Sequence, residues 1–382
     1  MGLDIEISGL QSAQTLKADW QFLEEQAEGS PFISWHWIEP WLEQIAFHNF
    51  ESYLVKITEN KQVVGLGLLH YGLVTRRKFF RRTILFLNEM PLSDNNMVIE
   101  YNGLLVKLGY EEQAWNAFCK KLIDLPKWDE VQLNGLSTRV AEQAESALGK
   151  VADLYTYEKT AAHEVYLADF TQQQSWVDAE QALLSKNKRT QIKRSIRAYE
   201  SKYGGNIICT AATNKKQALD YFSNLESLHN TYWASKGLQG AFANKKWVAF
   251  NKNIIENNIG TGTVQLYCIS VGEHVIGYLY NFLWKGVVYN IQSGLCYEND
   301  NKLKPGYVSH WLVMAEYFKY GARQYNFLAG TTHYKKSLSN QQELLECLLL
   351  RRSIDKRKFL LEDMLVNMVR FVRKLFSKQG PG

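Results

Sequence analysis

The sequence predicts an α/β chain of two domains in tandem, each a mixed, largely antiparallel sheet flanked by helices. Three observations predict it. The chain has 382 residues, more than one ordinary core organises. Stretches with the period-2 alternation of strands interleave with stretches of period 3.6. The same order of strands, helices and closing strand occurs twice, in plan though not in letters.

The elements follow in chain order. PFISWHWIEPWLEQI (31–45) reads as a helix, with Pro31 near its start and a stripe of Trp35, Ile38, Trp41/Leu42 and Ile45. YLVKITENKQVVGLGLLHYGLV (53–74) is a strand, a turn at Glu59–Lys61 and a second strand, and RTILFLN (82–88) is a third. Glu111 to Leu125 is helical, WDEVQLNGL (128–136) a strand and Arg139 to Leu148 a helix, completing a first domain over 1–165. The second domain, 166–340, opens on a basic helix from Gln181 to Tyr203 that stops at Gly204–Gly205. NIICTAA is a strand, followed by helices Lys215–Trp233 and Trp247–Asn257. Residues 264–297 are three strands joined at Gly272–Glu273 and Lys285–Gly286. Lys-Pro-Gly opens a helix, Tyr307–Tyr320, and RQYNFLA (323–329) is the closing strand. Residues 341–382 are expected to form a strand and a basic amphipathic helix packing back on the first domain.

Composition bounds the function. At 46% hydrophobic and 22% charged, the chain is that of a soluble globular protein. A net charge of +5 suits an anionic ligand or membrane surface and falls short of a nucleic-acid coat. The five cysteines are scattered and odd in number, with no CxxC or HxxxH pair, so neither a disulfide framework nor a metal site is expected. The N-terminal MGLDIEISGL lacks the basic-then-apolar pattern of a signal peptide, and no run of about 18 apolar residues occurs, so a cytoplasmic location is expected.

Four stretches concentrate chemistry. In KLKPGYVSHWLVMAEYF, Pro305 and Gly306 turn the chain sharply into a helix whose free N–H groups form a generic anion site, with Lys302 and Lys304 adding charge. In SKNKRTQIKRSIRAYESKYGG, Ser185 is placed as N-cap and Ile192, Ile196, Tyr199 and Tyr203 as the buried stripe, with Lys186, Arg189, Lys193 and Arg197 on another face. Arg189 and Arg194 are the candidate ligands for carboxylate or phosphate; the alternative is a solvated basic face. In LESLHNTYWASKG, His229 and Trp233 share a helix face. His229 is either a packing residue or a general base, with Glu226 orienting it or acting as the base itself. FLAGTTHYKKS (327–337) crowds two threonines, a histidine, a tyrosine and two lysines after Gly330.

The basic helix and LESLHNTYWASKGLQGAF, read with "GLCYENDNKLKPGYVSHWLVMAEYFKYGARQYNFLAGTTHYKKS", resemble the GCN5-related N-acetyltransferase (GNAT) fold. The resemblance covers about 150 residues. It is sharpest to the bacterial branch called BioF2-like or CelD-like, related to the Fem peptidoglycan aminoacyltransferases. The first domain is similar, by pattern only, to that branch's degenerate GNAT-like half. Asn326 and Ala329 stand where the family often has Asp and Gly, and the usual Gln/Arg-x-x-Gly-x-Gly/Ala loop is missing.

The resemblance implies an N-acyltransferase moving an acyl group from acyl-CoA, or an acyl carrier protein, to an amine of a cell-envelope or polysaccharide precursor or other small molecule. It places the donor against Lys304, Pro305, Gly306, Tyr307, Val308 and Ser309. Arg189, Arg194, Trp233, Asn290 and Gln292 are expected to line the substrate site, with Gly294 a bulge where a ligand approaches the backbone. Catalysis is expected from Lys335 and Tyr334, the family's Tyr-Lys, with His229, Glu226 and Tyr297 as bases or acids. A strand N–H would act as the oxyanion donor. No tightly bound cofactor is expected. Two alternatives stay open: an aminoacyl-tRNA donor, as in the Fem relatives, which alone would make nucleic acid a partner; and a non-catalytic, membrane-associated binding protein. Peripheral contact with the inner membrane is the second expectation for the tail DKRKFLLEDMLVNMVRFVRKLF and for RRKFFRR (76–82).

Overall fold

The computed structural model describes residues 2–10, 13–48, 51–76, 80–89, 99–126, 128–330, 332–355 and part of 357–368, without the side chains of 13–14, 44–48 and 76. In chain order the strands are β1 (Asp4–Gly9), β2 (Ser52–Glu59), β3 (Gln62–Arg76), β4 (Phe80–Leu87), β5 (Leu105–Val106), β6 (Glu130–Ser137), β7 (Tyr155–Asp169), β8 (Ile207–Ala211), β9 (Val264–Val271), β10 (His274–Trp284), β11 (Val287–Leu295), β12 (Gln324–Ala329) and β13 (Gln341–Arg352). The helices are α1 (Ala13–Gln26), α2 (Trp35–His48), α3 (Glu111–Lys121), α4 (Thr138–Gly149), α5 (Trp176–Leu183), α6 (Lys186–Tyr203), α7 (Lys215–Ser235), α8 (Lys245–Asn258), α9 (Pro305–Lys319) and α10 (His333–Ser337). Two compact units result: Met1–Gly29 with Ile45–Ala162 and Leu345–Gly382, and Ser30–Gln44 with His163–Leu344.

In the first unit the strand order is β1-β2-β3-β4-β6-β13. Helices α3 and α4 cover one face through Trp115, Phe118, Ala141 and Ala144, packed on Leu85, Leu133 and Leu348. All pairs in this order are antiparallel except β4 with β6, parallel over Ile84↔Glu130 to Phe86↔Gln132. Beyond these pairs the chain itself fills the space. Asn88 Nδ2 donates to Gly103 O (2.7 Å) and Asn102 Oδ1 (3.0 Å), Asn88 Oδ1 accepts from Leu68 N (2.8 Å), and Asn102 Nδ2 donates to Leu87 O (2.8 Å). Asn102 also bridges to Leu136 on β6. Gly135 makes this possible, because a Cβ there would lie 1.8 Å from Ile99 O. The adjacent Glu89 carboxyl is buried, accepts from Ile99 N (2.9 Å) and Asn134 Nδ2 (2.7 Å), and is pushed up to about 7 by burial.

In this unit Arg82 of the RRKFFRR stretch is buried, paired with Glu362, with its guanidinium 4.8 Å from the Phe359 ring centre. Arg82 is therefore no free surface cation. Residues 77–79 of that stretch and 369–382 of the tail lie outside the described residues, while Leu360, Leu361, Met364 and Met368 are exposed.

In the second unit the order is β7-β12-β11-β10-β9-β8. The period-2 alternation sends Leu279 to one face with α5, α6 and α9, and Tyr280 and Phe282 to the other. That other face takes Phe222 of α7, and Trp37 packs edge-on to Phe250 (4.9 Å) and Phe282 (6.1 Å). The basic helix expected from Gln181 is two helices. Leu184 is extended, and Ser185 caps α6 by accepting from Lys188 N (3.3 Å).

Two irregularities shape the sheet. Strand β11 carries an extra residue, Ile291, opposite Tyr280–Asn281 on β10. Strands β11 and β12 are parallel for only three pairs, Val287↔Gln324 to Tyr289↔Asn326, and then part. The bulge expected at Gly294 thus lies at Ile291. Gly294 has a different duty: a Cβ there would stand 2.5 Å from Leu225 O, so it admits the backbone of α7 and not a ligand.

Candidate active site at the parting of β11 and β12

Where the two strands separate, five side chains close a ring of hydrogen bonds. Asn290 Nδ2 donates to Asn281 Oδ1 (2.9 Å), and Ser293 Oγ donates to Asn290 Oδ1 (2.9 Å). Ser293 Oγ also meets His310 Nε2 (3.3 Å), and His310 Nδ1 meets the Tyr325 hydroxyl (3.0 Å). Tyr325 returns to Asn281 Oδ1 at 3.3 Å. Asn281, Asn290, His310 and Tyr325 are buried and Ser293 half-buried. Burial, with the charge of Lys335 second, pushes His310 down to about 3, so the ring holds a neutral imidazole.

Tyr334 lies over this ring. Its phenol is stacked on His310 (4.9 Å between centres, 18° between planes). Burial raises the Tyr334 hydroxyl above its ordinary value, and the nearby polar groups of Thr332 and Ser293 draw it back. Gly306, at the start of α9, is small because of this ring: a Cβ there would sit 2.9 Å from Tyr334 Cδ1. Lys335 Nζ donates to Ala329 O (2.7 Å) and Leu328 O (3.3 Å) at the end of β12. Leu328 adopts φ +57, a left-handed conformation that turns this strand end, and Asn326 Oδ1 accepts from its N–H (2.8 Å). Asn326 thus works as a backbone brace in the place where the family often has an acid.

Helix α6 closes over the start of α9. Lys304 N donates to the buried Ser195 Oγ (2.9 Å). Lys188 Nζ donates to the Tyr307 hydroxyl (2.9 Å), which also meets His333 Nδ1 (2.8 Å) and Ser337 Oγ (3.0 Å). Tyr307 and His333 therefore clamp α6, α9 and α10 together. Beside this clamp opens a cleft of about 930 Å³ lined by Lys188, Arg194, Arg197, Lys302 and Lys304, with Asn187 and Asn301. Among the described residues, Arg194, Arg197, Lys302 and Lys304 have no side-chain hydrogen-bond or ion-pair partner.

The remaining expected residues fall as follows. Arg189 is not in this cleft; its Nη1 donates to Leu184 O (2.6 Å), tying off the end of α5. Val308 and Ser309 are fully buried, and Pro305 is the first helical residue of α9. His229 is buried, and its Nε2 accepts from Trp233 Nε1 (2.9 Å) with Phe242 edge-on at 4.9 Å; desolvation pushes it down to about 4. With its lone pair committed to Trp233, His229 takes the packing alternative in place of the general base, and Trp233 is its partner. Glu226 is half-buried, next to Leu225 at the Gly294 contact, with no partner among the described residues. Tyr297 is half-exposed and stacked on Tyr232 (4.8 Å, 29°), with its hydroxyl raised by burial and then by Tyr334 and Tyr232. Gln292 is half-buried. Ser293, His310, Tyr325 and Asn281 were not read from the sequence. The available signal was the spacing of His310, one turn beyond Gly306 on an otherwise apolar helix.

A family model described as acetyltransferase (GNAT) domain matches residues 186–336, a span that contains the parted strands, α9 and Tyr334–Lys335. Residues 186–336 form a GNAT acyltransferase domain. The solved structure of FemX is similar to the chain at a TM-score of 0.61 and 11% identity, covering 93% of this chain and 100% of that one. A conserved protein of unknown function from Bacteroides thetaiotaomicron VPI-5482 gives 0.55 and 11%, covering 92% and 100%. L-PGS from Bacillus licheniformis gives 0.50 and 9%, covering 91% and 94%. At such identities the likeness establishes the fold, along nearly the whole chain. No curated protein sequence matches. Among the described residues no three His, Cys, Asp or Glu are grouped to hold a metal ion, and no helix is long and apolar enough to cross a membrane.

Proposed function

We propose that the GNAT domain transfers an acyl group from a thioester of CoA, or of an acyl carrier protein, to an amine. The observation that carries this reading is the opening between β11 and β12, with Tyr334 and Lys335 at its mouth and an unpaired basic cleft beside the first turn of α9. A thioester carbonyl lying in the opening would meet strand N–H groups no longer used for pairing, an oxyanion-stabilising arrangement. The amine attacks the carbonyl directly and Glu226, half-buried and without a partner, takes its proton. As the carbon–sulfur bond breaks, Tyr334 gives its proton to sulfur, and Lys335 offsets the negative charge. The exposed Tyr297–Tyr232 stack offers a flat apolar wall for an acceptor ring, which fits the amine of a sugar-like envelope precursor.

The cleft also favours a second donor. Four unpaired cations around 930 Å³ would suit aminoacyl-tRNA as well as the phosphates of CoA. Turnover measured with acyl-CoA species, an acyl carrier protein and charged tRNA separates the readings. Thiol release with acyl-CoA and a primary amine is the expected outcome; activity with charged tRNA alone, abolished by ribonuclease, would overturn it. Failure to bind any thioester by calorimetry, with binding to anionic liposomes, would favour a non-catalytic membrane-associated protein.

A further inference from the structure

The first unit carries a surface that the acyl-transfer steps do not use, and it joins the two basic stretches of the sequence. Residues 359–362, 364 and 368 are helical. Phe359 and Glu362 hold this helix to the sheet. Glu362 pairs with the buried Arg82, and the Phe359 ring centre lies 4.8 Å from the Arg82 guanidinium and 4.9 Å from that of Arg351. Successive helical residues turn by about 100°, so Leu360, Leu361, Met364 and Met368 share one arc and the two anchors fall opposite it. The four are 53%, 62%, 67% and 57% exposed. Apolar side chains scattered singly are ordinary on a protein surface, but four on one helix arc form a patch that marks a contact.

The charge around the patch selects the partner. Residues 355–382 hold seven Lys or Arg and three Asp or Glu, so they carry +4 of the chain's net +5. RRKFFRR, tied to the helix through Arg82, adds five cations and no acid. Arg81 and Arg357, one from each stretch, are exposed. We propose that this face docks on an anionic lipid surface, its four apolar side chains entering the headgroup layer while the cations meet lipid phosphates. A single apolar helix face binds a bilayer weakly by itself, and neighbouring Lys and Arg supply the remaining attraction. A second copy of the chain would set the same positive charge against itself, and nucleic acid would leave the apolar arc in water. The inference is independent of the acyl-transfer reading.

The test is co-sedimentation of the full chain with vesicles of mixed phosphatidylglycerol and phosphatidylethanolamine, and with vesicles of phosphatidylcholine alone. The anionic vesicles should bind about tenfold or more tightly than the neutral ones, and added salt should weaken that binding. The combined variant Leu361→Ser, Met364→Ser and Met368→Ser should bind the anionic vesicles about tenfold or more weakly. All three side chains are exposed, so its urea midpoint should match the parent's. Arg81→Glu with Arg357→Glu should reduce the preference for the anionic vesicles by about tenfold or more. Absence of binding to anionic vesicles, equal binding to both kinds, or undiminished binding by the serine variant overturns the inference. A parent dimer that the same three serine substitutions dissociate also overturns it, because a second copy would then cover the face. Absence of thioester turnover removes the acyl-transfer reading instead and leaves the vesicle measurements unaffected.

Discussion

Lys335 offers the sharpest separation of a structural from a catalytic role, and Lys335→Met is the substitution to make, since it keeps the aliphatic stem and removes the charge. In the folded chain the ammonium donates to Ala329 O at 2.7 Å and Leu328 O at 3.3 Å, at a half-buried position. Hydrogen bonds from a charged donor contribute about 1.5–3 kcal/mol when buried, and partial exposure lets water replace some of that. The unfolding free energy should therefore fall by about 1–2 kcal/mol. A domain of ordinary stability, about 5–15 kcal/mol, stays folded at that loss. Removing a preorganised charge from the reaction is larger, about 10²–10³-fold in turnover. Urea unfolding measures the first quantity and thiol release at saturating donor the second. The Lys335 charge also helps hold His310 down, so the imidazole pKa should rise in the variant. Turnover within about twofold of the parent, with the stability loss present, would make Lys335 a strand-end brace only and refute the reasoning.

Three further outcomes follow from the geometry. Gly294→Ala should destabilise by about 1–3 kcal/mol in urea, because its Cβ meets the α7 backbone at Leu225, which cannot swing aside as a side chain can; an unchanged midpoint would refute that contact. His229, pushed down to about 4 in the fold against 6.5 unfolded, takes up its proton in the unfolded chain first. Its contribution, up to about 3 kcal/mol, is thus present above about pH 6.5 and lost as the pH falls toward 4. His229→Gln should flatten that part of the stability profile, and a profile identical to the parent's would count against the burial argument. The double variant Arg194→Ala with Arg197→Ala should weaken donor binding by about tenfold or more in calorimetry, with salt weakening the parent likewise. An unchanged donor Kd would move the donor out of this cleft.

What was legible in the sequence was whatever a local rule controls. Ser185 announced its cap, Lys285–Gly286 its turn, and the Lys-Pro-Gly its helix start, each because the backbone geometry at that point admits few residue types. The Tyr334–Lys335 pair was singled out through its family pattern. The ring beneath it was not, because Asn281, Ser293, His310 and Tyr325 are each ordinary in their own segment and meet only through the pairing of β10, β11 and β12 and the packing of α9 on that sheet. Arg189 and His229 misled for a related reason. Helical spacing gives a face, but the neighbours on that face, Leu184 O for one and Trp233 Nε1 for the other, decide whether a side chain is a ligand or a tie. Gly294 misled in the same way: a glycine in a strand signals close approach, and only the fold tells what approaches.

The closed gap of the first unit has a use beyond this chain. Position 135 admits no side chain at all, because Ile99 O occupies the place where a Cβ would be. A single letter there therefore records whether a two-fold chain of this plan has retired its first opening. In a cousin carrying alanine or anything larger at the matching position, the 99–103 stretch must lie elsewhere, and that half should be screened for a ligand of its own. Conversely, grafting a second activity onto this chain would have to begin by evicting Asn88 and Asn102, whose amides now serve as its permanent occupants.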